Sequence, residues 1–184
     1  MSGDFGLEDI CKYYRFVMFD FPGLCAPFND VKDPKQHAER LTLFCRAFRI
    51  NRPCKVSQAV LNEVYTYAKG GSKVGEALVG VLVYGVDKIG RRTHHLLRQK
   101  CLETCSKQGV TDYDRTAIFC ALAHAREGEK TGSPVPTAYM TGSDKNLEAY
   151  KSLRAEFKIE AKLATPFMLN SEGVYLPVLD TIKA

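Results

Sequence analysis

This chain of 184 residues lacks the sequence features that are typical of membrane and secreted proteins. No stretch approaches the roughly 20 consecutive apolar residues that cross a bilayer, so we predict no transmembrane helix. The first ten residues are acidic rather than basic and then apolar, so we expect no secretory signal peptide. Tryptophan is absent too, but hydrophobic residues make up 45% of the chain. This composition excludes a disordered or low-complexity protein and predicts one folded domain with a sizeable core.

Catalytic motifs are also lacking. The sequence has no Gly-x-Ser-x-Gly, no His-Glu-x-x-His and no glycine-rich phosphate loop ending in Lys-Ser or Lys-Thr. The stretch Gly70-Gly71-Ser72-Lys73 lacks the leading glycine of such a loop and indicates a turn between helices instead. His94-His95 follows two arginines but has no recognisable nucleophile or carboxylate partner. We therefore predict that the protein is not an enzyme and uses no cofactor.

The cysteines do not form the pattern of a disulfide scaffold. There are seven of them, an odd number, and they are scattered through apolar surroundings, which is typical of a protein from a reducing compartment. They are Cys11, Cys25, Cys45, Cys54, Cys101, Cys105 and Cys120.

One group of these residues has metal-ligand chemistry. Cys101 and Cys105 are four apart, as are Cys120 and His124, and residues four apart share one face of a helix. Two such pairs have the ligand types of a tetrahedral zinc site. Both pairs fall on apolar stripes, where cysteine usually acts as a small hydrophobic residue. We predict no metal site and keep zinc binding by these four residues as the alternative.

Positive charge is concentrated in two short windows. The net charge is +5, yet residues 35–55 and residues 88–107 each hold six basic residues and one acidic residue. We call these the first and second basic windows. Such windows are usually solvated faces, but they also suit contact with phosphates or with acidic membranes.

The local pattern in the first half of the chain is mixed. An aromatic and β-branched run at residues 13–21 predicts a strand, and the helix breakers over residues 22–36 predict a loop or hinge. Residues 41–50 alternate in a way that favours a strand, although helical spacing also fits. Ser57 is a plausible N-cap for a helix with a stripe that includes Tyr65, and residues 74–86 are apolar enough to be the most deeply buried element.

The second half reads more clearly as helices. Residues 91–107 place Leu97, Cys101 and Cys105 on one inward stripe, and Thr111 with Asp114 resembles a capping box for the next helix. A further helix begins at Ser143 or Asp144, and residues 174–179 predict a short edge strand.

These elements together predict a single compact α+β domain, with several helices packed on a small, mostly antiparallel sheet. Residues 1–36 would form an N-terminal arm and hinge, and residues 37–184 the globular domain.

Part of the chain resembles a viral family. The run from Leu41 through Tyr84 resembles the matrix proteins of rhabdoviruses in the order of its elements. These elements are residues 41–50 (Leu-Thr-Leu-Phe-Cys-Arg-Ala-Phe-Arg-Ile), Asn51-Arg52-Pro53, the helix after Ser57, the turn at residues 70–73 and the apolar second helix. Residues 171–180 (Ser-Glu-Gly-Val-Tyr-Leu-Pro-Val-Leu-Asp) look like the closing segment of the vesiculovirus type. The resemblance covers roughly 60 residues, by short motifs.

The chain also departs from that family. Matrix proteins of animal rhabdoviruses commonly open with a lysine-rich arm and a Pro-Pro-x-Tyr budding motif, and this chain opens acidic and has neither. Both a plant-infecting member and a chance resemblance fit these departures.

The resemblance implies a globular α+β domain and a non-enzymatic structural protein of the virion that associates with itself. Such a protein condenses the viral nucleoprotein–RNA complex and links it to the inner face of an anionic membrane, so it would be found in the virion, in the host cytoplasm and at the inner periphery of the membrane. The alternative is a small capsid or nucleocapsid protein that binds RNA non-specifically through the same cations. The predicted binding surface consists of Arg52, Lys55, Lys69, Lys73, Lys88, Arg91, Arg92, Arg98 and Lys100.

Overall fold

The computed structural model describes residues 6–29, 33–49, 53–87 and 94–179. Within these ranges helices surround one sheet of five strands, so the prediction of a single compact α+β domain is confirmed. The helices are α1 (Leu7–Tyr13), α2 (Phe21–Asn29), α3 (Pro34–Ala47), α4 (Gln58–Lys69), α5 (Lys73–Leu82), α6 (His95–Lys107), α7 (Asp112–Lys130) and α8 (Asp144–Glu156). The strands are β1 (Phe16–Phe19), β2 (Cys54–Val56), β3 (Thr137–Thr141), β4 (Ala164–Leu169) and β5 (Tyr175–Pro177).

The sheet is mostly parallel, which corrects the predicted antiparallel arrangement. Its order is β2-β1-β3-β4-β5, and only β4 and β5 pair in antiparallel fashion. Parallel neighbours need a crossover connection. Helices α2 and α3 supply the crossover from β1 to β2, and α8 supplies the one from β3 to β4.

The N-terminal segment is part of this domain, so the prediction of an arm over residues 1–36 was wrong for the described residues. Strand β1 lies between β2 and β3, and all four of its side chains are buried. The short apolar run that predicted a strand here is therefore the middle of the sheet.

Two segments expected to be a loop and a strand are helices. Pro22 lies in the first turn of α2, where a missing N–H is tolerated. Pro27 leaves the Gly23 carbonyl without its helical partner, and the hydroxyl of Tyr175 donates to that carbonyl instead. In α3, the ring centroid of Phe44 lies 5.7 Å from that of Phe19.

Two helical layers cover opposite faces of the sheet. Phe19 points to α3, whereas the ring of Phe16 stacks on His124 of α7, with centroids 3.6 Å apart. Residues three apart in a strand point to opposite faces. The most buried elements are β1, β3 and the middle of α7. Val83, just after α5, is 43% exposed. The prediction that residues 74–86 form the most buried element was therefore wrong.

Several local predictions are confirmed. The hydroxyls of Ser57, Thr111 and Ser143 accept hydrogen bonds from the first turns of α4, α7 and α8. The inward stripe of α6 consists of Leu97, Cys101 and Cys105, and β5 is an edge strand. In the part of the chain that the structure covers, no helix is long and apolar enough to cross a membrane.

Candidate functional site

The predicted basic surface is divided among several places. Four of its nine residues, Arg52, Lys88, Arg91 and Arg92, lie outside the described residues. The other five lie on β2, at the turn between α4 and α5, and on α6.

Lys69 and Lys73 are brought together. Lys69 ends α4, Lys73 begins α5, and both side chains are exposed. Ser72 accepts a hydrogen bond of 3.1 Å from the Gly75 amide and caps α5, whose positive dipole end therefore lies beside Lys73. Among the described residues neither lysine forms an ion pair. Within the residues that the structure covers, no acidic side chain pairs with the positive charge of this turn.

Two tyrosines of α4 lie close to these lysines in the sequence. Tyr65 precedes Lys69 by one helical turn and is 39% exposed, so the prediction that it belongs to the buried stripe was wrong. Tyr67 is 41% exposed and makes an edge-on contact with Phe21 at 5.8 Å between ring centroids. Tyr67 is two positions from both Tyr65 and Lys69, so it lies on another side of α4. We call Tyr65, Lys69 and Lys73 the α4–α5 tip. It combines exposed cations with one exposed aromatic ring.

The remaining described cations have other surroundings. Lys100 lies 3.2 Å from Glu103 and 3.4 Å from Glu156, so its charge is neutralised. Arg98 lines a small cavity of about 180 Å³ together with Arg115. Lys55 is half-buried in the edge strand β2.

The helical cations of the two basic windows lie on opposite sides of the sheet. The first contributes the cations of α3, which packs on the face of Phe19. The second contributes those of α6, which packs on α7 and α8 across the other face. The cations of α3 and those of α6 therefore do not merge into one surface.

A buried polar cluster was missed by the sequence reasoning. The Asn146 amide nitrogen lies 2.9 Å from a carboxyl oxygen of Asp20 and 3.0 Å from one of Asp114. The hydroxyl of Tyr139 donates to the same oxygen of Asp20 at 2.7 Å, and the Gly23 amide donates to the other oxygen at 2.7 Å. Asp20 interrupts an aromatic run, and Asp114 occupies a capping position. Each residue therefore has a role that the neighbouring sequence explains, and nothing in the sequence indicates that the two carboxyl groups meet.

This cluster occupies the place where parallel sheets commonly bind ligands. Asp20 directly follows β1, and Asn146 lies in the first turn of α8, which follows β3. Both residues are therefore at the carboxyl ends of two adjacent strands. The order of strands in the sheet reverses between these two, and ligands commonly bind at such a point. Here the first turn of α2 fills the crevice, since a Cβ atom on Gly23 would lie 2.4 Å from the Met140 carbonyl oxygen. The cluster therefore joins four elements in the interior and is not exposed to substrate.

Its electrostatics favour a shared proton. Burial raises the pKa of Asp20 to about 7, and the nearby Asp114 carboxyl adds to the rise. Burial also raises the pKa of Asp114. Because burial and mutual repulsion both oppose ionisation of the two carboxyl groups on one amide, one of them holds a proton below neutral pH.

The histidines and cysteines considered for chemistry lie in structural settings. His124 Nε2 lies 3.0 Å from Asp87 Oδ1, and the thiols of Cys101 and Cys105 are buried in the α6 stripe. His94 is buried, lies 3.4 Å from Glu127, and burial lowers its pKa. No group of three or more histidine, cysteine or acidic side chains within the described ranges is arranged to hold a metal ion.

Comparisons with known proteins yield no relative, since no family model, no curated protein and no solved structure matches the chain.

Proposed function

We propose that the protein is a non-catalytic structural protein of the viral matrix type, which attaches to anionic membranes through the α4–α5 tip. The observation that carries the proposal is the pair of exposed lysines, Lys69 and Lys73, which form no ion pair within the described part of the chain, with the exposed Tyr65 one helical turn before Lys69. Both lysines belong to the segment that resembles rhabdovirus matrix proteins. The proposed partners are anionic lipid, the viral nucleoprotein–RNA complex and further copies of the chain.

The energetics of the tip suit reversible attachment. Each lysine near an acidic leaflet contributes about 1 kcal/mol, so two of them give a weak contact that salt screens. Tyrosine favours the headgroup region, where its ring is apolar and its hydroxyl is hydrated. One copy would bind weakly, and several linked copies would bind tightly because each further contact becomes intramolecular.

Self-association is supported by apolar side chains on the surface. Leu96 and Leu102 of α6 are 58% and 49% exposed, and Leu176 in the edge strand β5 is 41% exposed. Burying such side chains between copies would be favourable by the ordinary hydrophobic effect.

RNA binding is the alternative that a specific observation favours. Bases of single-stranded RNA stack on exposed aromatic rings while neighbouring cations contact the phosphates. Tyr65, one helical turn before Lys69, and the nearby Lys73 offer both kinds of contact.

Vesicle flotation distinguishes the two candidates. The purified chain should float with vesicles that contain phosphatidylserine and not with neutral phosphatidylcholine vesicles. The double variant Lys69→Glu/Lys73→Glu should reduce flotation at least about tenfold, as expected for reversing two surface charges.

A matched control variant distinguishes the effect of the α4–α5 tip from the effect of a lower net charge. Lys107→Glu/Lys130→Glu makes the same charge change at two exposed lysines on other helices. An equal loss in both variants contradicts a role for the tip. A chain that ignores acidic vesicles but holds single-stranded RNA with a steep salt dependence contradicts the matrix proposal and supports the RNA-binding alternative.

A further inference from the structure

Two thiols from distant parts of the chain touch each other. The Sγ atoms of Cys11, in α1, and Cys54, in β2, are 3.4 Å apart, although the residues are separated by 43 positions. A disulfide bond has an S–S length of about 2.05 Å, so a shift of roughly 1.4 Å would join them. Cys54 is 1% exposed and Cys11 is partly exposed. The pair therefore consists of one partly exposed cysteine in contact with one buried cysteine.

The partly exposed residue of this pair, Cys11, lines a cavity with an excess of basic side chains. This cavity has a volume of about 290 Å³ and is lined by Cys11, Arg46 and Arg49. Glu8 and Lys12 complete its charged lining, and the Lys12 ammonium is held by Asp9 at 2.8 Å. Neither arginine forms an ion pair within the described residues. The cavity thus offers two guanidinium groups to an anion and a thiol beside them.

We propose that Cys11 and Cys54 form a thiol–disulfide exchange site for small anionic disulfides of the glutathione type. The carboxylates of such a molecule match guanidinium groups, which bind carboxylates by paired hydrogen bonds. The attacking form of a cysteine is its thiolate, and exchange requires that the incoming disulfide reach it. A second thiol in contact with the first is the arrangement that resolves a mixed disulfide.

The reaction balances in two steps. The Cys11 thiolate attacks one sulfur of the disulfide and expels the other half as a thiolate, which leaves a mixed disulfide on Cys11. The Cys54 thiol then gives its proton to water and attacks the Cys11 sulfur, and the second half leaves as a thiolate. The two cysteines lose two electrons, and the small disulfide is reduced to two thiols.

Other cysteines lack this combination. Burial raises the pKa of Cys25 to about 12 and that of Cys105 to about 11, so these thiols stay protonated. Burial raises the pKa of Cys101 further. Cys45, on α3, is partly exposed but contacts no other thiol among the described residues. The reactivity of Cys45 therefore shows how fast a cysteine reacts when it is partly exposed but has no second thiol in contact.

The product would tie the first helix to the edge of the sheet. A bond between Cys11 and Cys54 closes a loop that contains β1, α2 and α3. Cross-links over loops of this length restrict the unfolded chain and usually raise stability.

Oxidation of the reduced full-length chain with glutathione disulfide tests the site. Peptide mapping should find a Cys11–Cys54 disulfide as the first product, before any adduct on Cys45. Cys54→Ser should accumulate a glutathione adduct on Cys11, because the resolving thiol is gone, and Cys11→Ser should leave Cys54 unreacted. First reaction at Cys45, or a Cys11 adduct that never converts to the disulfide in the wild type, overturns the proposal.

A second comparison tests the cavity itself. Arg46→Gln/Arg49→Gln should slow the reaction with glutathione disulfide roughly tenfold, the low end of electrostatic steering effects. Its reaction with the neutral hydroxyethyl disulfide should be unchanged, and Lys107→Gln/Lys130→Gln should change neither rate. Equal slowing with both disulfides would mean that the arginines do not select an anion, and it overturns that part of the proposal.

Discussion

The interior carboxyl pair predicts an unusual dependence of stability on pH. Asp20 is fully buried, and its pKa is raised from 3.8 to about 7. The folded chain therefore binds this proton more tightly than the unfolded chain. The stabilisation is fully present below pH 4, falls as the pH rises, and is lost once the pH exceeds about 7.

The size of the effect follows from the same values. At 1.36 kcal/mol per pKa unit, this difference changes the free energy of unfolding by about 4 kcal/mol. The value is an upper limit, because the neighbouring carboxyl shares the proton. Most of the change should occur between pH 4 and pH 7. His94 acts in the opposite direction, since burial lowers its pKa and stability from this residue falls at acidic pH.

The perturbation that tests this reasoning is Asp20→Asn. The amide has nearly the same shape but cannot ionise, so the variant should lose the decline in stability between pH 5 and pH 8. Urea unfolding at pH 5, 6, 7 and 8 measures the free energy of unfolding for both proteins. The control is Asp112→Asn, since Asp112 lies on the first turn of α7 with its side chain 87% exposed.

Two results would refute the argument about the carboxyl pair. One is a wild-type chain that is equally stable at pH 5 and pH 8. The other is an Asp20→Asn variant that keeps the wild-type dependence on pH.

Two further substitutions test the packing around α2. Gly23→Ala should destabilise the chain by roughly 2 kcal/mol or more, because the new Cβ would lie 2.4 Å from the Met140 carbonyl oxygen. Thermal unfolding measures this loss, and an unchanged Tm would contradict the close approach. Tyr175→Phe should cost about 1–3 kcal/mol, because the Gly23 carbonyl then has no donor; urea unfolding against the control Tyr13→Phe, at a side chain that is 69% exposed, checks this value.

Helix breakers were the main source of error in the fold. Pro22, Gly23 and Pro27 suggested a loop, yet the first lies where helices accept proline and the last is compensated by Tyr175, which follows it by almost 150 residues. No local rule could include a donor from so far along the chain. The missed helices α2 and α3 also hid the crossover that makes the sheet parallel.

The ambiguity at residues 41–50 had a similar origin. Both alternation and helical spacing fitted this segment, and the strand was favoured; the contact of Phe44 and Phe48 with Phe19 belongs to the helix instead. Such contacts depend on which strand lies beneath the segment, and the residues themselves do not specify that strand.

The candidate surface was predictable only in part. Lys69 and Lys73 meet because they flank a short turn, and the sequence contained that turn. Arg98 and Lys100 are close in sequence but have different surroundings, one beside a cavity and the other between two glutamates. A count of charges along the chain does not distinguish a free cation from a neutralised one.

The amino-acid sequence alone determined the helix starts at Ser57, Thr111 and Ser143 and the buried stripe of α6, because capping bonds and stripes join residues within a few positions of one another. Tertiary structure alone decided the direction of the strands, the meeting of Asp20 with Asn146 across 126 positions, and the contact of Cys11 with Cys54. The physical reason is that burial and charge depend on which distant segments share a volume, and the order of residues along a chain does not contain that information by itself.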